Sequence, residues 1–179
     1  MVERKPESWM DWISIAISRV AMFLIAWIVA IMFYEVVMRY VFEKPTLWVN
    51  EMSLWTAGAV YLLAGLYVMQ QRDHIRIFIL YDMVPRNWQR AFDAISTLLI
   101  CAFSAATVWG GFNEARDKLL RWETFGTAWD PPIPATMKPL VLLTVTLIAI
   151  QAVVNLVNDW NKEKTAHDLV EDVTGERID

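Results

Sequence analysis

The sequence is poor in the residues that carry metal, haem and thiol chemistry. It has one cysteine, Cys101, and two histidines, His74 and His167, among 179 residues. A single thiol cannot form an internal disulfide, and without nearby histidines it cannot build a metal site. Both histidines lie outside the long apolar runs, so axial ligation of a haem inside a helix bundle is excluded. We therefore predict that the chain is not an enzyme and carries no cofactor and no metal.

Charge is missing from four long stretches, 20–34, 52–69, 94–112 and 139–157, which contain no Asp, Glu, Lys or Arg. The last three each approach the roughly 20 residues that a helix needs to cross about 30 Å of hydrocarbon. Only Arg19 interrupts the apolar run that extends the first stretch back to Trp12. A soluble domain of this size could not bury a composition that is 56% hydrophobic and 20% charged. The pattern indicates an integral membrane protein.

The fold class predicted from these runs is an all-α integral membrane protein with four transmembrane helices. We place the spans near 12–38, 48–69, 90–112 and 138–158, within a single membrane domain over residues 1–160. Residues 161–179 are polar and predict a disordered cytoplasmic tail. The N-terminal arm mixes acids and bases and does not predict a cleavable signal peptide.

Lysine and arginine are distributed unevenly between the predicted loops. Nine lie in the N-terminal arm, the second loop and the tail, and six lie on the opposite side. Since cytoplasmic loops carry the excess of these residues, both termini are predicted to be cytoplasmic.

The segment 112–122 follows the third span and has an amphipathic pattern. Two acid-first i,i+4 pairs, Glu114 with Lys118 and Asp117 with Arg121, lie beside its apolar positions. We expect a short amphipathic surface helix here. The prolines between 131 and 139 then predict a stiff return to the fourth span.

The few charged residues near span ends are candidates for function. Glu35 and Arg39 are spaced i,i+4 and can form an ion pair, and Arg39 could also pair with Glu51 across the first loop. We interpret these residues as ion pairs that stabilise the first two helices. A proton or sodium relay needs acids near the middle of the membrane, and the predicted spans have none.

Two groups of uncharged residues predict helix packing. Small residues in the second span, Gly58 and Gly65 among them, would let another helix approach closely. Thr144, Thr146, Gln151 and Asn155 in the fourth span are expected to hydrogen-bond to neighbouring helices.

The stretch 39–77 resembles a known family. It contains Arg-Tyr-Val-Phe at 39–42, Pro45, Trp-Val-Asn-Glu at 48–51 and, after an apolar helix, Arg-Asp-His-Ile-Arg-Ile at 72–77. This arrangement is similar to the small, Q-type (DctQ-like) membrane subunit of TRAP transporters, the tripartite ATP-independent periplasmic transporters. The resemblance extends over all four predicted spans.

The resemblance implies a small scaffold subunit of a sodium-coupled secondary transporter in the bacterial inner membrane. A large M-type subunit would carry the substrate, an organic acid (carboxylate or sulfonate), together with sodium, and would move as an elevator. A soluble periplasmic binding protein would deliver the substrate, and no nucleic acid is involved. The candidate interface residues are Arg39, Trp48, Glu51, Arg72, His74 and Glu35, and the candidate docking residues for the binding protein are Arg116, Lys118 and Arg121.

Two other functions remain open from the sequence. A self-sufficient small transporter or channel would use Glu35 as its coupling acid, although Glu35 lies near the end of its span. A four-helix adhesion protein would normally need an outer disulfide, which a single cysteine does not allow.

Overall fold

Four long α-helices make up the parts of the chain that the structure describes. The computed structural model describes residues 8–71 and 85–160. The helices are α1 (Trp9–Tyr40), α2 (Val49–Gln71), α3 (Arg86–Leu120) and α4 (Ile133–Asp159). Each is long and apolar enough to cross a membrane, and no strand occurs within the described ranges. The predicted all-α class and all four predicted spans are confirmed.

Local sequence signals explain where α1 and α4 begin. Ser8 caps α1, since its hydroxyl accepts from the Met10 N–H while the Asp11 carboxylate accepts from the Ser8 N–H at 2.9 Å. At the start of α4, Pro134 stands in the first turn, where a missing N–H costs nothing. The helix therefore begins at Ile133, and the predicted proline-stiffened return is partly helical.

Residues 112–120 are helical, but they belong to α3. The predicted separate surface helix is wrong, because α3 continues without a break from Arg86 to Leu120. Its 35 residues span about 52 Å, which exceeds the roughly 30 Å of hydrocarbon. Helix α3 is therefore longer than the hydrocarbon is thick, and the charged segment after Phe112 continues the membrane helix without a break.

The helices pack in the order α1–α2–α4–α3. Helix α2 contacts both α1 and α4, whereas α3 packs mainly against α4. We call the end that carries the connections 41–48 and 121–132 the loop end, and the end near Trp9, Gln71, Arg86 and Asp159 the terminal end. Because α3 has one main neighbour, the array is open and much of its apolar surface is exposed.

Glycine residues mark the close contacts with α4. A Cβ at Gly58 would lie 3.4 Å from Met137 Sδ, and one at Gly65 would lie 3.4 Å from Ile148 Cδ1. On α3, a Cβ at Gly111 would lie only 3.0 Å from Leu142 Cδ2. The predicted close approach to the second span is confirmed, and the approaching helix is α4 of the same chain.

Candidate functional site

A buried polar cluster joins α1, α2 and α4 at the terminal end. Gln151 donates through Nε2 to Asp11 Oδ1 at 2.7 Å and to Asn155 Oδ1 at 3.0 Å. Its Oε1 accepts from the Ser14 hydroxyl at 3.1 Å, and Asn155 Nδ2 donates to the Met69 carbonyl at 2.8 Å. All four polar side chains are buried. The cluster therefore holds three helices together through hydrogen bonds between buried protein groups, which neither water nor lipid can replace at this site.

The predicted interhelical bonding of the α4 polar residues is confirmed for Gln151 and Asn155 and wrong for the two threonines. Thr146 donates its hydroxyl to the Leu142 carbonyl of its own helix at 2.7 Å. The Thr144 hydroxyl is buried and has no hydrogen-bond partner among the described residues. The two threonines therefore contribute no interhelical hydrogen bond within the described part of the chain.

A second polar cluster lies at the loop end around Glu35. One carboxylate oxygen of Glu35 accepts from Arg39 Nε at 3.1 Å and Nη2 at 2.6 Å. The other oxygen accepts from the Thr46 backbone N–H at 3.0 Å and from the Thr46 hydroxyl. Glu35 is buried, and Arg39 is partly exposed. Because Thr46 lies in the connection to α2, the carboxylate ties this loop to the end of α1.

The predicted pairing of Arg39 is half right. The i,i+4 pair with Glu35 is present, while the pair across the loop with Glu51 is not formed. Glu51 lies in the first turn of α2, and its Oε2 is buried with no hydrogen-bond partner among the described residues. Arg39 pairs with Glu35 because the two side chains are one helical turn apart and therefore lie on the same face of α1.

Aromatic rings connect the two loop-end segments. The Trp48 ring lies 6.2 Å from that of Tyr34 and 6.4 Å from that of Trp129, measured between centroids. Trp129 belongs to the α3–α4 connection, so Trp48 links both connections. A further link comes from Trp55 Nε1, which donates to the Thr136 hydroxyl of α4 at 2.9 Å. Trp48 thus has a packing role within the chain.

The α3–α4 connection is itself structured. The Gly126 N–H donates to Asp130 Oδ1 at 2.7 Å, and the Phe125 N–H donates to the Pro131 carbonyl at 3.0 Å. Gly126 has φ +79°, a left-handed conformation that glycine adopts without steric cost. These bonds support the predicted stiffness of the loop over the part that remains non-helical.

The three candidate docking residues do not form one set. Lys118 forms an ion pair with Glu123, and Glu114 forms one with Lys138, so the predicted Glu114–Lys118 pair is replaced by two others. Arg116 and Arg121 are exposed at the loop end. Two cations of the predicted three are therefore presented to the surroundings, and Lys118 is held by its partner.

Two predicted site residues, Arg72 and His74, lie outside the described residues, as does the tail 161–179. Their roles stay predictions. Sequence reasoning missed Asp11 and Thr46. The Ser8–Asp11 capping spacing could have drawn attention to Asp11, whereas no local pattern links Thr46 to Glu35.

Comparison with known proteins gives a family and a curated relative. Residues 28–162 match the model of the family described as tripartite ATP-independent periplasmic transporters, DctQ component. The relative is the C4-dicarboxylate TRAP transporter small permease protein DctQ of Vibrio cholerae serotype O1. It is 25% identical over 138 residues, which cover 72% of this chain and 56% of the relative. The chain thus spans little more than half the length of that protein.

The family match covers all of α2, α3 and α4 and the second part of α1, including the cluster around Glu35. Its members are transporter components, so the prediction that this chain is not an enzyme is confirmed. The chain belongs to the DctQ-component family of the tripartite ATP-independent periplasmic transporters.

Proposed function

We propose that this chain is the small scaffold subunit of a sodium-coupled, binding-protein-dependent secondary transporter in the bacterial inner membrane. It packs against a large M-type subunit, which carries the substrate and the sodium. Membership of the DctQ-component family is the observation that carries this proposal. The open array supports it, because a large apolar helix surface is available for packing against another membrane subunit.

The positions of the acids favour a scaffold over a carrier. A coupling acid has to exchange an ion or proton, and such groups lie within the bundle or a water-filled cavity. Within the described helices, Asp11, Glu35 and Glu51 lie near helix ends, and Glu35 is already bonded to Arg39 and Thr46. This arrangement argues against a self-sufficient small transporter that uses Glu35 as its coupling acid.

The proposed substrate is an organic acid, either a carboxylate or a sulfonate. The name of the Vibrio cholerae relative specifies C4-dicarboxylates, which belong to this class. A periplasmic binding protein would deliver the acid to the loop end, which faces the periplasm if both termini are cytoplasmic. Arg116 and Arg121 are the exposed cations proposed to help dock that protein.

Co-purification tests the proposal. The chain carries an affinity tag and is expressed with the large subunit at matched levels, and the membranes are solubilised in mild detergent. We expect the two subunits to elute together in a fixed ratio, whereas an unrelated four-helix membrane protein with the same tag retains no large subunit. Elution of the tagged chain alone, with uptake by that chain alone after reconstitution, would instead support the self-sufficient transporter.

A further inference from the structure

Helix α2 exposes one narrow stripe although it packs against two neighbours. Leu54, Tyr61 and Val68 are spaced by seven residues, so they lie on one face of the helix. All three are exposed, and Tyr61 is the most exposed of them at 82%. The α1–α2 and α2–α4 contacts therefore leave this face of the central helix uncovered.

Tyr61 lies in the middle of its span. Glu51 and Gln71 are each ten residues away along α2, which is about 15 Å of helix in either direction. A tyrosine side chain is less than half as long, so its hydroxyl cannot reach the headgroups by snorkelling. The contacts with α4 give the same depth, since Tyr61 lies between Gly58 and Gly65, which face Met137 and Ile148.

A hydroxyl at this depth needs a partner made of protein. Lipid chains offer no hydrogen-bond acceptor, and tyrosines that face lipid concentrate at the membrane–water boundaries instead. None of the residues that the structure describes accepts a hydrogen bond from Tyr61. Tyr61 is largely exposed, so α1 and α4 leave most of its side chain uncovered. The stripe is therefore built for contact with another transmembrane helix.

We propose that the stripe Leu54–Tyr61–Val68 packs against a transmembrane helix of the large subunit, to which the Tyr61 hydroxyl donates a hydrogen bond. The acceptor is a backbone carbonyl or a polar side chain near the membrane centre. This inference rests on the proposed function, since it assigns the surface that the partner covers. A second copy of this chain fits less well, because a symmetric pair would place two Tyr61 hydroxyls together and satisfy only one of the two donors.

The test uses the full chain co-expressed with the large subunit. A photoreactive benzoylphenylalanine replaces Tyr61 in one variant and Tyr40 in another, because Tyr40 is also exposed but lies at the end of α1. After irradiation of intact membranes, we expect position 61 to cross-link to the large subunit. Cross-linking of position 61 to a second copy of the chain, or to lipid alone, would overturn the proposal.

A second measurement isolates the hydroxyl. Tyr61→Phe removes one oxygen, and Tyr40→Phe is the matched control. We expect Tyr61→Phe to weaken the association of the two subunits by about threefold to tenfold in a detergent-dilution assay, the range of one hydrogen bond between membrane helices. Tyr40→Phe should leave the association unchanged. Equal association of Tyr61→Phe and wild type would overturn the proposal about the stripe. The proposed scaffold function would be refuted by a different result, namely no association between the wild-type subunits.

Discussion

Gln151 of α4 donates a 2.7 Å hydrogen bond to the carboxylate of Asp11 on α1, across 140 residues of sequence. The two helices make few other contacts, so this bond and the neighbouring Ser14–Gln151 bond account for much of their connection. Both partners are buried, which makes the pair costly to disrupt from one side. Buried side-chain hydrogen bonds thus connect α1 to α4 at the terminal end.

Replacing Gln151 with Leu should destabilise the chain by about 1–3 kcal/mol, because Ser14 and Asp11 each lose a partner in a buried site. Thr146→Val is the matched control on the same helix, since Thr146 is exposed and bonds only within α4. Thermal unfolding of the purified chain in detergent measures both. Equal unfolding temperatures for the two variants would show that the cluster does not hold the helices together.

Replacing Glu35 with Gln should lower the unfolding temperature by a few degrees and reduce the yield of the subunit complex. In the native chain, one carboxylate oxygen of Glu35 accepts from Arg39 and the other accepts from Thr46. In the Gln variant, the amide NH2 replaces one of these oxygens, so it would face a donor, either Arg39 or Thr46, and that hydrogen bond would be lost. Glu51→Gln is the isosteric comparison, because Glu51 Oε2 has no hydrogen-bond partner within the described residues. Normal complex yield for Glu35→Gln together with abolished transport would contradict the structural role and assign Glu35 to the transport reaction.

The adjacent glycines of α3 test the α3–α4 contact. A Cβ at Gly111 would lie 3.0 Å from Leu142 Cδ2, whereas a Cβ at Gly110 would have no atom of the described structure outside its own helix backbone within 4 Å. Both substitutions change helix propensity equally, so their difference isolates packing. We expect Gly111→Val to cost about 1–3 kcal/mol more than Gly110→Val in thermal unfolding of the isolated chain. Similar losses for both would mean that α3 does not pack on α4 through this face.

The sequence predicts the helices because their signal is local. Three long charge-free runs, and a fourth that only Arg19 interrupts, identify the four spans, and the i,i+4 spacing identifies the Glu35–Arg39 pair. The end of α3 is different, because an amphipathic pattern alone does not distinguish a new helix from the continuation of the preceding one. The charge-free run ends at Phe112 and charged residues follow it. This change in composition suggests a break in the helix that the backbone does not make.

The polar clusters depend on distances that the sequence does not encode locally. Asp11 meets Gln151 only because α1 and α4 are brought together at the terminal end. Proximity in the chain suggests an Arg39–Glu51 pair, but Arg39 pairs with Glu35 of its own helix. The contact of Thr46 with Glu35 depends on the path of the loop, which composition does not determine.

Charge reversal at Arg116 and Arg121 should slow docking of the binding protein and reduce uptake. Rim charges act mainly on the association rate, and salt screens them, so the loss should be greatest at low ionic strength. The double substitution by Lys keeps the charge and serves as the control. Uptake is measured over a range of binding-protein concentrations, with co-purification of the two membrane subunits as the check on assembly. Unchanged uptake by the Glu variant at low salt would remove this surface from the docking site.

The most direct measurement of the proposed scaffold role is uptake into proteoliposomes, under an inward sodium gradient, of a radiolabelled organic acid that the binding protein binds. Four preparations are compared in the presence of the binding protein: this chain alone, the large subunit alone, both together, and empty liposomes. We predict uptake well above background only when both membrane subunits are present, and no uptake by this chain alone. Sodium-dependent uptake by this chain alone, or full uptake by the large subunit without it, would contradict the assignment of a required, non-transporting scaffold.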